Sequence, residues 1–573
     1  MSVNLFQPAF EILSDLPADA YDYGSRSSGE THGVVLTKPH VVSLILDLSG
    51  YTLDRDLTQL SLLEPSCGEG AFLVQAVERL LSVARRRGVD VGSLSSPIAG
   101  FDIDAKHVQS ARAAVAKVMH DHGIQAERAA TLASEWISAS DFLLKNEARR
   151  FDVIVGNPPY VRIEQLSVTL QSEYRRRYRS LYDRADLYVA FIERALQLLS
   201  PHGVLSFICA DRWIVNKYGA PLREIVVKDF RVACYVDLHS ASPFESDVIA
   251  YPSIFSLTPG TDGAVQVCSL TTASPDECAA VVPAMKAGGS SQPGVTVATY
   301  DSWFTGSEPW VITSPEHLAA LRSLEERFEP IEATGNTRVR IGVATGDDKT
   351  YIVGEDADIE PDRLVPLVMR GDIENGQVRD ARRFVINAFR DDGGVVDLRD
   401  YPRLAAHLRA NEMDVRRRHV AQKNPSSWFR TIDRVYPSLV GVPKLLVPDI
   451  AGSNEVVFEQ GKFYPHHNLY FITSDEWDME VLGGLLSSRL ALFFVWSYAV
   501  KMRGGYLRFQ AQYLRRIRIP AVDDISRNLA DAIKKAFRDR AFDHLDQLAL
   551  EAYSLTTLPA FDFVDTRARQ RRR

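Results

Sequence analysis

Phe151-Asp152-Val153-Ile154-Val155-Gly156-Asn157-Pro158-Pro159-Tyr160 is the stretch on which the reading of this chain turns. An apolar run of strand length passes through one glycine into two prolines, each of which fixes its own φ and keeps its predecessor out of the helical region. The stretch therefore reads as a short strand ending in a stiff loop. That loop offers the Asn157 carboxamide oxygen and the Pro158 carbonyl as acceptors, Pro159 as a stiffener and the Tyr160 ring as a flat face. Two converging acceptors beside an aromatic platform suit a planar molecule with an exocyclic amino group. Such an amine is a poor nucleophile because its lone pair is delocalised into the ring. Accepting both its hydrogens draws the nitrogen toward a tetrahedral geometry, so positioning and electrostatics can do the work without a basic side chain. A Pro-Pro turn alone is ordinary, but Asn directly before it and Tyr directly after it, at a strand end, are far more specific.

Upstream, Leu60 to Leu63 reads as a strand and Glu64-Pro65-Ser66-Cys67-Gly68-Glu69-Gly70-Ala71-Phe72 leads from it into a helix ending near Arg87. Strand, glycine-rich turn and helix are how a doubly wound α/β sheet brings backbone close to a nucleoside. Ile98 to Asp104 is a second strand closing on acids, with Asp102 the expected partner of ribose hydroxyls. After a helix from Ala105 to His120, Ser140-Asp141-Phe142-Leu143 sets another acid beside an aromatic, suited to an adenine amino group and ring. Each acid could instead end a strand or cap a helix. All of them in order, each after a strand and ahead of Asn157, favour the joint reading. Downstream, Asp186-Leu187-Tyr188 opens a helix through Leu199, Gly203 to Cys209 is a strand, and Ser242-Pro243-Phe244-Glu245 precedes a strand from Ala250 to Leu257.

These residues carry a resemblance. Asn-Pro-Pro-Tyr in this setting resembles the motif of amino-group methyltransferases that use S-adenosylmethionine, above all the γ-type N6-adenine DNA methyltransferases of restriction-modification systems (the TaqI-like family). Gly33-Val-Val-Leu-Thr37-Lys-Pro39-His, ahead of the nucleotide-binding core, matches the motif order of that class. The resemblance implies a Rossmann-like class I methyltransferase domain. It assigns Thr37, Glu64, Ser66, Gly68 and Gly70 to the methionine end of the cofactor, Asp102 to the ribose, and Ile103, Asp141, Phe142 and Phe191 to the adenine. It further implies that Asn157 and the Pro158 carbonyl hold the target amino group, and that Tyr160 and Phe244 clamp a base rotated out of the duplex. Similarity to the same enzymes continues through Val339 to Gly346, Pro366 to Ile373, Asn468-Leu-Tyr470 and Arg503-Gly-Gly-Tyr506-Leu-Arg508. This implies a mixed α+β target-recognition domain. The expected division is 1–257 methyltransferase, 258–309 a linker region with one short strand from Val265 to Leu270, and 310–573 target recognition with C-terminal helices. A protein-glutamine or RNA-adenine methyltransferase shares the tetrapeptide but leaves the C-terminal half unexplained. A non-catalytic specificity subunit is opposed by the intact motifs.

The net charge of −8 over 573 residues counts against a nucleic-acid partner, since phosphate contacts need cations, yet local density decides. From Lys501 through Arg503, Arg508, Arg515 and Arg516 no acid intervenes, so these four arginines are the expected DNA contacts. Arg416-Arg417-Arg418 and Arg175-Arg176-Arg177-Tyr178-Arg179 are further basic clusters. Five scattered cysteines without a C-x-x-C pair argue against a disulfide framework or zinc ribbon and fit a reducing cytoplasm. No metal is expected. Asp15, Asp19 and Asp22 sit where a signal peptide needs a basic start, and the apolar run from Val481 to Val500 contains Arg489 and reads as a buried helix, so no membrane role is indicated. Pro448-Asp449 with Glu459-Gln-Gly-Lys462 approaches a nuclease core, but the spacing is one residue too long, so no cleavage activity is expected. Expected partners are double-stranded DNA and a cognate restriction endonuclease, with the methyltransferase acting as a monomer.

Overall fold

The computed structural model describes residues 35–94, 96–246, 252–289, 293–301, 303–304, 306–311, 313–333, 335–451, 455–499 and 507–561. The chain forms two compact units, Met1–Val311 and Ile312–Arg573.

The first unit is built on a nine-stranded sheet of order β3-β2-β1-β4-β5-β7-β6-β8-β9. Its strands are β1 (Leu62–Glu64), β2 (Ile98–Asp102), β3 (Ile137–Ala139), β4 (Phe151–Gly156), β5 (Leu199–Ala210), β6 (Phe230–Asp237), β7 (Pro252–Pro259), β8 (Val265–Leu270) and β9 (Val295–Tyr300). β3, β2, β1, β4 and β5 run parallel, and β7 lies antiparallel between β5 and β6. The helices are α1 (Pro39–Leu48), α2 (Ala71–Arg87), α3 (Ala105–Asp121), α4 (Ala126–Trp136), α5 (Val168–Arg177), α6 (Tyr188–Gln197), α7 (Arg212–Val215), α8 (Ala220–Asp229) and α9 (Pro275–Lys286).

Side chains alternate faces along a strand. On β1 and β4, Leu62, Val153 and Val155 join one core cluster with α1, α2, α3 and α9, whereas Leu63 and Ile154, equally buried, lie outside it. α6 packs on β5 and α8 on β6. Both faces are covered, which is why β4 reads as a continuous apolar run instead of alternating. Each such Val or Ile contributes roughly 1.5–3 kcal/mol by leaving water. The same two-sided burial brings the carboxyl ends of β1, β2, β3 and β4 into line, because Leu63 pairs with Ile154, Glu64 with Gly100 and Asp102 with Ala139.

The segment expected to be a linker is not one. β8 pairs with β6 and β9 with β8, and α9 adds Cys278, Val281 and Ala284 to the core beside α1. Gly260 and Gly263 before β8, and Gly288, Gly289, Pro293 and Gly294 after α9, whose residue types suggest a linker, lie at turns and bends between these elements.

The second unit has two four-stranded sheets with several short strand pairs and helices, a mixed α+β arrangement. The apolar run near 481–500 forms two buried helices, Met479–Leu486 and Arg489–Tyr498, bent by 60° at Ser487 and Ser488, where Ser488 caps the second. Among the described residues no single helix is long and apolar enough to cross a membrane. The five cysteines are buried and free.

Candidate active site

The loops at the carboxyl ends of β1 to β4 enclose a cavity of about 140 Å³. Eleven of the residues singled out in the sequence line it: Thr37, Glu64, Ser66, Gly68, Asp102, Ile103, Asp141, Phe142, Asn157, Pro159 and Phe191. Gly70, Pro158, Tyr160 and Phe244 do not.

The turn after β1 is held from two sides. The Gly68 N–H donates to Asp102 Oδ2 at 2.9 Å, and the Ser66 hydroxyl donates to the Asn157 carbonyl at 3.1 Å. Asp102 is thus a strut between the first two strand ends, its Oδ1 also accepting from the Asp104 N–H at 2.8 Å. His107, in the first turn of α3, stands 3.4 Å from the same oxygen. Gly70 serves the packing of the helices instead. At φ 94° it caps α2, and a Cβ there would lie 3.1 Å from Ala111 on α3.

Glu64 is buried with Oε2 unpartnered. Burial, reinforced by the nearby Asp102 charge, pushes its carboxyl well above the usual carboxylate range, against an opposing hydrogen bond from the Leu73 backbone. A buried acceptor without a donor costs free energy that a cationic or N–H ligand would recover.

Asn157 is oriented through its amide nitrogen. Nδ2 donates to the Val35 carbonyl at 3.0 Å and to Thr37 Oγ1 at 3.3 Å, while Oδ1 is buried and unpartnered. Thr37 therefore holds Asn157 as well as lining the cavity. On the adenine side of the expected arrangement, Phe142 and Phe191 form an aromatic wall with centroids 5.3 Å apart.

The expected clamp of two facing rings is not formed. Tyr160 and Phe244 meet edge to face, centroids 6.3 Å apart at 82°, with no slot between them. Phe244 is fixed by a bridge to Thr37 and lies in the core cluster. The Tyr160 hydroxyl is buried without a partner, and burial raises its pKa well above the ordinary phenol value.

Sequence reasoning missed Tyr174, Leu166 and Leu187, which close the cavity from the segment after Tyr160. No local pattern marks them, because their place depends on how that segment folds back.

Of the four arginines expected to meet DNA, Arg503 lies outside the described residues. Arg508 pairs with Asp449 at 2.5 Å, Arg515 with Glu332 at 3.1 Å, and the Arg516 guanidinium lies 4.5 Å from the Tyr498 ring centroid. The nuclease-like residues serve structure: Glu459 forms a buried pair with Lys444 at 2.8 Å, and the Lys462 backbone N–H donates to its other oxygen. Among the described residues, Asp348, His466 and His467 bring three potential metal ligands within 4.8 Å of one another, with His466 Nε2 and Asp348 Oδ2 hydrogen-bonded at 3.0 Å.

A doubly wound sheet with a glycine turn after β1, an acid ending β2 and Asn-Pro-Pro-Tyr after β4 defines a Rossmann-like methyltransferase. The comparisons narrow this. The Eco57I restriction-modification methylase family matches residues 85–244. The chain is 42% identical over 560 residues to the Type II methyltransferase M.BstVI of Geobacillus stearothermophilus, covering 93% of this chain and 98% of that one. It is 43% identical over 534 residues to M.PaeR7I of Pseudomonas aeruginosa, covering 92% of each. The solved Type IIL restriction-modification enzyme MmeI, in complex with DNA, shares the fold with a TM-score of 0.61 at 15% identity, over 91% of this chain and 74% of that one. The chain belongs to the Type II restriction-modification methyltransferases.

Proposed function

We propose that this chain transfers the methyl group of S-adenosylmethionine to N6 of an adenine in a short duplex DNA sequence, protecting that DNA from a cognate endonuclease. One chain would act alone and methylate each strand separately. The observation that carries the reading is Asn157: its amide nitrogen is spent on Val35 and Thr37, so its carboxamide oxygen remains a buried, unpartnered acceptor at the cavity.

The residues fit the cofactor. Glu64 Oε2 is an unpartnered acceptor for the ammonium group, Asp102 and Asp141 are acids for the ribose and the adenine amino group, and Phe142 and Phe191 supply an apolar wall for the ring. S-adenosylmethionine supplies, when bound, an electrophilic methyl on a sulfonium centre. Asn157 Oδ1 and the Pro158 carbonyl accept the two hydrogens of the target amine, localising the lone pair that the purine ring otherwise withdraws. Pro158 and Pro159 hold both acceptors still, so reorganisation during transfer is small. Tyr160 offers its ring to the flipped base, whose unstacking costs a few kcal/mol. Stacking against a second face requires Phe244 or Tyr160 to turn from the edge contact described above. The alkylated nitrogen is acidic enough to lose its proton to water.

The test is single-molecule sequencing of DNA from a host expressing the chain, read for N6-methyladenine against an empty-vector control. One modified motif is expected. Asn157→Ala is expected to lower turnover by at least about 10² while cofactor still binds, since the lost acceptor acts on the amine. Unmodified DNA with soluble, cofactor-bound protein would overturn the DNA-adenine reading in favour of RNA or a protein amide.

A further inference from the structure

The Arg175-to-Arg179 cluster stands out in the sequence as basic surface, but part of it faces inward. The C-terminal end of α5 and the residue after it are fastened to the loop after β3 by three donors. The Tyr174 hydroxyl donates to Asp141 Oδ2 at 2.5 Å, Arg177 Nη1 to the Leu144 carbonyl at 2.9 Å, and the Tyr178 hydroxyl to the Leu143 carbonyl at 2.5 Å. Tyr174 and Arg177 lie on α5 at i, i+3 spacing and Tyr178 directly follows the helix in extended backbone, while Arg175, Arg176 and Arg179 are exposed. Tyr174 and Asp141 are both buried, and both line the cavity.

Asp141 Oδ1 accepts the Leu143 and Leu144 backbone N–H groups at 2.8 and 3.2 Å. Backbone thus sets one oxygen of the carboxylate and the Tyr174 hydroxyl sets the other, and the two together fix its torsion. We propose that Tyr174 is a positioning residue for cofactor recognition: its hydroxyl aims Asp141 so that the carboxylate accepts from a 6-amino purine and rejects a 6-oxo one. The proposal rests on the reading of this cavity as the S-adenosylmethionine site. A donor to a carboxylate makes a charge-assisted bond, roughly twice as strong as a neutral one. A carboxylate held in one orientation discriminates by what it cannot pair with: a 6-oxo purine turns a carbonyl oxygen toward it and leaves both groups without a donor.

The experiment titrates the full-length protein with S-adenosylhomocysteine and with its 6-oxo analogue, S-inosylhomocysteine. Wild type is expected to prefer the amino form by at least about tenfold. Tyr174→Phe keeps the ring and loses the hydroxyl; it is expected to weaken S-adenosylhomocysteine binding several-fold and to shrink the preference toward unity. Tyr178→Phe removes a hydroxyl that anchors the same loop, one that donates to the Leu143 backbone carbonyl and not to the carboxylate, and is expected to keep the wild-type preference. A Tyr174→Phe protein with undiminished preference overturns the role of Tyr174 while leaving the cofactor site standing. Equal loss in both variants reduces Tyr174 to general anchoring and also overturns it. Failure of wild type to bind either compound overturns the cofactor reading and the proposal with it.

Discussion

Glu64 ends β1 with its carboxylate in the cavity wall and Oε2 buried without a partner. Burial first, and the Asp102 charge second, raise its pKa in the folded state. A carboxyl raised on folding gives stability that is full below its unfolded value and is lost as pH rises through the folded value. Near neutrality the ligand-free protein therefore carries a cost at this position, and an ammonium group placed beside Oε2 reverses it. Cofactor binding is expected to weaken as pH falls through the raised Glu64 pKa, with proton release on binding in that range. Calorimetry in buffers of differing ionisation heat, repeated from acid to neutral pH, measures both. Glu64→Gln is expected to lower cofactor affinity by roughly 10- to 100-fold and to flatten this pH dependence, while thermal stability without ligand does not fall. A Gln variant that tracks pH as wild type does would remove Glu64 from the role. At this scale much of the cavity wall was legible, because Glu64 and Asp102 end strands, Asp141 and Asn157 follow them, and parallel pairing lines up strand ends. Tyr174 was not, since its neighbour Asp141 lies 33 residues away and no periodicity records that pairing.

The two glycines of the turn into α2 look alike in sequence and differ in the structure. Gly68, at φ 51°, lines the cavity and would have nothing within 4 Å of an added Cβ. Gly70, at φ 94°, sits off the cavity, where a Cβ would press on both Cα and Cβ of Ala111 at 3.1 Å. Gly70, at the N-cap of α2, thus sits close against Ala111 of α3. Gly70→Ala is accordingly expected to cost about 1–3 kcal/mol through strain and overpacking, seen as a drop of several degrees in Tm, with cofactor affinity changing less. Gly68→Ala is expected to do the reverse, with a smaller loss of Tm and a larger loss of cofactor binding. Thermal unfolding and cofactor titration of the pair decide it, and the opposite pattern would exchange the two roles. Element positions were otherwise well marked: the basic last turn Arg85-Arg86-Arg87, closed by Gly88 in the left-handed region, is a helix stop that can be read from residue types alone. The break at Ser487 and Ser488 was hidden because an apolar run carries no sign of a bend other than a hydroxyl free to cap the second helix.

At the level of the whole chain, turn-forming composition misleads where it is taken to mark a boundary. Thr258 to Gly263 and Ala287 to Gly294 are rich in Gly, Pro and Ser, which places the expected end of the methyltransferase domain at 257. Between those two stretches, however, Cys278, Val281, Ala284 and Met285 recur at helical spacing and bury one face of α9. β8 covers the outer edge of β6, with Cys234 opposite Gln266 and Val236 opposite Cys268. Farther on, Trp310 packs on Trp213 with centroids 5.2 Å apart, and its backbone N–H donates to the Ile214 carbonyl at 3.0 Å. The first unit is complete only at Val311. A chain cut after Leu257 would expose the β6 edge as an unpaired template for aggregation, leave α1 without its neighbour α9 and strip Trp213 of Trp310, leaving Phe255 as its ring contact. A chain cut after Val311 loses none of these. The shorter fragment is therefore expected to aggregate or to unfold without cooperativity. The longer one is expected to unfold in a single transition and to bind S-adenosylhomocysteine with an affinity within a few-fold of the full chain, while site-specific methylation is lost with the second unit. Circular dichroism melts and calorimetric titration of the two fragments test this directly. Cooperative unfolding and full affinity in the fragment ending at 257 would restore residues 258–309 to the role of a linker, and failure of the fragment ending at 311 would mean that the first unit cannot hold its cofactor site without the second.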